Sequence, residues 1–231
     1  MIKPIDNFID YGALSADDRK AMVETQLVPR GIKDPNVLDA FMNVPRECFV
    51  IEEYLKSAYD DCPLPIIENQ TISQPYMVAV MTELLELSDE DLSAGVKILE
   101  IGTGAGYQAA ILAHMGCRVA SVERIPKVAD FAVINLKKVP YGQRVEVYVG
   151  DGTEGWPEEA PFDGIIVTAA SPKIPTALLQ QLKVGRKLVI PCGNLMVQQL
   201  LQVVKLPNDI RINRHTGCRF VPLIGKDGFQ E

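Results

Sequence analysis

From Val96 onward the chain alternates short, nearly continuous apolar runs with longer segments whose apolar residues recur at helical spacing. Ile98 to Ile101, Arg118 to Val122 (ending at Glu123), Val145 to Val149, Phe162 to Val167 and Lys187 to Ile190 read as strands buried on both faces. Between them, Tyr107 to Met115, Pro126 to about Lys138, and Pro175 to Leu182 read as helices. This alternation predicts βαβ units and an α/β fold with a doubly wound, mostly parallel sheet. Two further strand candidates, Gln199 to Lys205 and Cys218 to Leu223, are joined by Leu206 to Gly217 with no helix between them. That predicts an antiparallel C-terminal edge.

The first third reads differently. Ala16 to Leu27 has helical spacing and ends at Pro29-Arg30-Gly31. Asp34-Pro35 opens a short helix, Asn36 to Met42, and Val44-Pro45 stops it. Pro63 and Pro65 bracket an extended, turn-rich stretch. The polar segment Asn69 to Pro75 then leads into an amphipathic helix from about Tyr76 to Leu87. Thr71 or Ser73 is a candidate cap for that helix, and Pro75 suits its first turn. The expectation is one domain over 1–231, with a leader at 1–14, an N-terminal helical and loop segment at 15–90, and an α/β core at 91–231.

Composition narrows the function classes. The chain has 231 residues, 47% apolar and 23% charged, as in ordinary globular proteins. A net charge of −7 argues against a nucleic-acid-binding surface. No apolar run approaches the ~20 residues that cross a bilayer, and Met1 to Tyr11 lacks the apolar core of a secretory signal. The five cysteines are scattered and the two histidines lie apart from one another, so no metal-ligand spacing arises. A cytoplasmic monomer with free thiols, and with no metal, nucleic-acid or membrane partner, is the expectation.

The densest chemistry follows the first strand of the core. Glu100-Ile101-Gly102-Thr103-Gly104-Ala105-Gly106 is a strand end, then three alternate glycines, then a helix. Alternate glycines permit left-handed backbone and close approach of a ligand, and the helix behind them points free N–H groups at the turn. A dinucleotide fingerprint needs G-x-G-x-x-G; here the third glycine comes one position early. Glu100, two residues before the first glycine, suits a ligand ammonium, which a dinucleotide lacks. Glu123 ends the second strand nineteen residues after Gly104, where a carboxylate can take both hydrogens of a ribose diol. Asp151 ends the third strand, and Gly152 leaves room for an adenine edge. In a doubly wound sheet, ligands bind beyond these carboxyl ends. Three carboxylates at three successive strand ends therefore predict a cavity for an adenosyl ligand with a cationic end. The segment holding Ser73 precedes a helix N-terminus, a ready anion site.

Glu100 to Gly106 resembles the first motif of S-adenosylmethionine-dependent methyltransferases. Thr71-Ile72-Ser73-Gln74-Pro75-Tyr76-Met77 resembles the signature of protein-L-isoaspartate O-methyltransferases, and Pro161 to Ala170, Leu188 to Pro191 and Arg219 to Leu223 are similar to further blocks of that family. The resemblance spans roughly Ala21 to Leu223. It implies a Rossmann-like methyltransferase fold and S-adenosylmethionine as methyl donor. The acceptor it implies is the α-carboxylate of isoaspartyl residues in damaged proteins and peptides. By it, Ser73 matches the active-site serine, with Thr71, Ile72 and Ser73 on the substrate. Glu100, Gly102, Thr103, Gly104, Gly106, Glu123, Asp151 and Gly152 fall on the cofactor. One departure stands out: members often carry glycines just before Gln-Thr-Ile-Ser, where this chain has Ile67-Glu68-Asn69. Two other readings remain at this point: a methyltransferase for another acceptor, and a cofactor-binding module without catalysis.

Overall fold

The computed structural model describes residues 16–230, so the expected leader at 1–14 lies outside the described residues. Helix α1 (Ala16–Met22) runs on through a π turn, Val23–Leu27, and a 3-10 turn, Val28–Arg30, to a left-handed Gly31. Helix α2 (Pro35–Asn43) starts where sequence chemistry says it should: Asp34 accepts from the N–H groups of Asn36 and Val37 at 2.8 and 3.2 Å, and Pro35 fills the first turn. A two-stranded hairpin follows, β1 (Leu64–Pro65) against β2 (Thr71–Ile72). Next come α3 (Pro75–Glu83) and α4 (Asp89–Ala94), the latter closed by a Ser88–Asp91 capping box.

The core then alternates as expected: β3 (Lys97–Ile101), α5 (Tyr107–His114), β4 (Arg118–Glu123), α6 (Pro126–Leu136), β5 (Val145–Val149), β6 (Phe162–Val167), α7 (Thr176–Gln181), β7 (Leu182–Gly193), β8 (Gln198–Lys205) and β9 (Ile210–Cys218). The sheet order is β5-β4-β3-β6-β7-β8-β9. Strands β5 to β7 pair in parallel around β3, whereas β7-β8 and β8-β9 are antiparallel. The chain leaves β3 toward β4 and later returns to its other side with β6. The switch point thus lies at the carboxyl end of β3, directly under the glycine turn. Ile98, Leu99 and Ile101 are buried there, and α3, the turn after it and α5 cover one face of the sheet through Met81, Leu85, Ala109 and Leu112.

Three elements depart from expectation. The helix after Ser73 stops at Glu83, and Ser88 starts a separate one. Strand β7 begins at Leu182, inside the segment read as the end of a helix. The last strand is Ile210–Cys218, inside the stretch read as a connector, while residues 219–223 lie beyond it. The reason is solvent: Arg211, Ile212, Asn213 and Arg214 on this edge strand are exposed, so the strand is held by backbone pairing with β8 and carries no apolar pattern.

Candidate functional site

The three turn glycines all adopt left-handed backbone, with φ of 92° at Gly102, 54° at Gly104 and 89° at Gly106. They serve different ends. A Cβ on Gly102 would sit 2.5 Å from the Thr168 hydroxyl oxygen. That hydroxyl donates to the carbonyls of Gly102 (2.5 Å) and Ile101 (3.0 Å), binding the turn to the end of β6. Gly104 faces the carbonyl of Thr71, 3.8 Å from where its Cβ would be, an ordinary van der Waals contact. Gly106 instead packs beneath Leu136 and Ala132 of α6. The turn therefore opens one wall, through Gly102, Thr103 and Gly104, onto a cavity of about 350 Å³, within the range of small-molecule sites.

The same cavity is lined by Thr71, Ile72 and Ser73, by Glu123 and by Gly152. Glu123 is buried at the tip of β4, where its Oε2 accepts from the Gly104 N–H at 3.1 Å and its Oε1 from the Ile125 N–H at 3.0 Å. A Cβ on Gly152 would lie 2.3 Å from Ile101, so only glycine fits between β3 and the next strand end. Ser73 is half-buried between two anchors. Ile72 is buried in the hairpin, and the Gln74 side chain donates to the carbonyl and carboxylate of Asp61 at 2.9 and 2.8 Å. Neither Thr71 nor Ser73 caps α3, contrary to expectation. Gln74 stands at the cap position without a side-chain bond, because Thr71 is held in β2 and the turn begins one residue after Ser73. The Ser73 hydroxyl has no hydrogen-bond partner among the described residues.

Of the residues expected on the cofactor, Glu100, Gly106 and Asp151 do not line this cavity. Of the three strand-end carboxylates, Glu123 alone lines this cavity. Glu100 is turned into the sheet, bonded to the Ser121 hydroxyl. Burial pushes its carboxyl up to about 8, with the Ser121 bond opposing and the nearby Glu123 charge adding to the rise. One of its oxygens, Oε1, is buried without a partner. Asp151 turns outward to the C-terminal turn. Its Oδ1 accepts from Thr153 and its Oδ2 from the Lys226 N–H at 2.8 Å. Burial opposes its charge, yet the Lys226 and Thr153 hydrogen bonds prevail and its pKa falls below the usual value.

The cavity has further walls that were not among the expected site residues, although most lie in the family-like blocks: Gln108, Thr168 and residues 219–224. The last segment is clipped over the cavity by paired backbone bonds, Ala170 N–H to Val221 at 2.8 Å and Leu223 N–H to Ala170 at 2.7 Å. Among the described residues, no helix is long and apolar enough to cross a membrane.

The comparisons with known proteins agree with this geometry. The family model described as protein-L-isoaspartate(D-aspartate) O-methyltransferase matches residues 17–228. A protein-L-isoaspartate O-methyltransferase of Geobacter metallireducens is 53% identical over 91% of this chain and 95% of its own length. One of Methanopyrus kandleri is 51% identical over 92% of this chain and 94% of its own. A solved protein-L-isoaspartate O-methyltransferase superposes with a TM-score of 0.80 at 30% identity, covering 91% of this chain and 67% of that one. A Plasmodium falciparum structure titled as a putative enzyme of the same kind, in complex with S-adenosyl-L-homocysteine, gives 0.77 at 26% identity, covering 89% of this chain and 98% of that one.

Proposed function

This chain belongs to the protein-L-isoaspartate(D-aspartate) O-methyltransferase family, and on that premise we propose how its cavity serves the reaction. The protein is an enzyme that transfers a methyl group from S-adenosylmethionine to the free carboxylate of L-isoaspartyl residues in proteins and peptides. S-Adenosylmethionine supplies a methyl on a sulfonium, which is already a good leaving group.

The residues fit such a ligand. A glycine turn with backbone open to the cavity and the buried Glu123 side chain beside it suit an adenosyl-bearing group with hydroxyls to donate. In our reading Gly102, Thr103 and Gly104 cradle it, and Gly152 gives room at the neighbouring strand end. Glu123 takes the ribose diol. Each of its oxygens accepts one backbone N–H, and a carboxylate has about four acceptor positions, so two remain for hydroxyls. Glu100 acts from behind the wall. Gly106 supports the turn, and Asp151 supports the C-terminal segment that covers the site.

Thr71, Ile72 and Ser73 take the substrate, and the single observation that carries this assignment is that they share one cavity with the glycine turn. A carboxylate with a pKa near ~3.9 is ionised at neutral pH and needs no general base. The chain's task is alignment. Ser73, its hydroxyl unclaimed and its neighbours anchored, donates to one carboxylate oxygen and holds the other toward the methyl. The finer reading, a cytoplasmic protein without nucleic-acid partners, rests on the net charge of −7 and the scattered thiols. The test is formation of a base-labile methyl ester on an isoaspartyl peptide but not on the matched aspartyl peptide. Equal methylation of both, or methylation of neither, would overturn the reading.

A further inference from the structure

Three polar side chains run in series from the sheet interior to the cavity wall. Glu100, fully buried on β3, accepts through Oε2 from the hydroxyl of Ser121, its register partner on β4. Ser121 Oγ lies 2.6 Å from Thr103 Oγ1, with either able to donate. Thr103 lines the cavity, whereas Glu100 and Ser121 do not. Each hydroxyl has one proton to give, so the series has two self-consistent arrangements. With Glu100 ionised, Ser121 donates to it, Thr103 donates to Ser121, and the remaining lone pair of Thr103 faces the cavity. With Glu100 protonated, its proton goes to Ser121, the Ser121 proton to Thr103, and the Thr103 proton points outward. The wall offers an acceptor in one state and a donor in the other.

We propose that Glu100 and Ser121 are positioning residues that set the hydrogen-bond polarity of Thr103, so that binding of the cationic cofactor releases the Glu100 proton. This rests on the reading that the cavity takes S-adenosylmethionine, which carries ammonium and sulfonium charges. A cation selects the acceptor arrangement, and with it the ionised carboxyl. The surroundings make the free protein hold the proton. Burial and the Glu123 carboxylate at the tip of β4 disfavour ionisation, while the Ser121 hydroxyl and the Ala109 N–H of α5 favour it less strongly. From β6 the register partner is the apolar Ile166. With the carboxyl near 8 in the free protein, cofactor affinity falls as pH drops below that value.

The experiment is titration calorimetry of the full chain with S-adenosylmethionine at pH 6.5, in two buffers of different ionisation enthalpy. At that pH the cofactor's own amine, near ~7.7–8.0, stays protonated. The wild type is expected to release close to one proton per cofactor bound, and its affinity to rise about tenfold from pH 6 to pH 7. Glu100→Gln, and Ser121→Ala, which cuts the series, are expected to bind without proton exchange and with flat pH dependence. Equal binding enthalpy in both buffers for the wild type alone overturns the inference, as does an unchanged proton count in either variant. No binding by the wild type would instead overturn the cofactor reading beneath it.

Discussion

The carboxylate of Glu123, at the tip of β4, accepts the backbone N–H of Gly104 at 3.1 Å across nineteen residues of chain. One side chain thus fixes the glycine turn and faces the cavity that the turn opens. Glu123→Ala is expected to weaken S-adenosylmethionine by ~1–3 kcal/mol, roughly five- to 150-fold in dissociation constant. Calorimetric titration checks it. An unchanged constant would put the ribose elsewhere and leave Glu123 as a brace for the turn only.

Ser73 makes no hydrogen bond among the described residues, and the cap position of α3 belongs to Gln74. A structural role therefore predicts nothing for its hydroxyl. Ser73→Ala should lower turnover by about ten- to a hundredfold, the loss of one hydrogen bond to a charged group, while the melting temperature and cofactor affinity stay at wild-type values. Steady-state kinetics beside a thermal melt decides between the roles. A fall in melting temperature that matches the fall in activity would make Ser73 a scaffold residue.

The sheet was legible because buried parallel strands must be apolar on both faces, and Ile98 to Ile101 or Phe162 to Val167 have no other use for such runs. The glycine turn was legible because left-handed backbone leaves few residue choices. Side-chain direction was not. Glu100 and Asp151 stand at strand ends like Glu123, but Glu100 answers to Ser121, and Asp151 to Thr153 and Lys226. Ser121 lies on the neighbouring strand and Lys226 seventy-five residues along the chain, and the Thr153 bond is a local turn that spacing alone does not distinguish from a ligand site. The same holds for Arg46 and Glu47, just after Pro45, which no sequence pattern marked. Arg46 is fully buried over the Tyr107 ring at 4.9 Å, with Nε donating to the Ala58 carbonyl at 2.7 Å, and Glu47 pairs with Arg19 at 3.3 Å. Long-range pairing of charges leaves no local spacing to detect. The strand Ile210–Cys218 was hidden for the converse reason, an exposed edge that buries almost nothing.

The segment that departs from the family pattern keeps a backbone suited to glycine. Glu68 and Asn69 have φ of 54° and 55°, and Asn69 lines the cavity. Asparagine tolerates this region; a β-branched residue does not. Asn69→Val should cost about 1–2 kcal/mol of stability and raise the Michaelis constant for isoaspartyl peptide, whereas Asn69→Gly should stay within about 0.5 kcal/mol of wild type. Urea unfolding of the two variants checks this. Equal stability for valine and glycine would mean that the hairpin loop relaxes its backbone freely.

Away from the cavity, Arg186 of β7 grips Asp91 of α4 with two bonds of 2.6 and 2.7 Å. Asp91 also closes the capping box by accepting from the Ser88 N–H at 3.1 Å. The Arg186 bonds, with those from Ser88, hold its pKa down to about 2. A depressed carboxylate stabilises the fold fully above its ordinary value near ~3.9 and loses that contribution as pH falls toward the lower value. Arg186→Met should therefore cost about 1 kcal/mol at pH 7, given that the pair is partly exposed. The difference from wild type should shrink between pH 4 and pH 2, where Asp91 takes up its proton. Cofactor affinity should not move, since neither residue lines the cavity. Urea titrations of both proteins at pH 7, 4 and 3 measure the difference directly. A gap that stays constant through that range would show that Arg186 acts by packing its stem, with the charge pair contributing nothing.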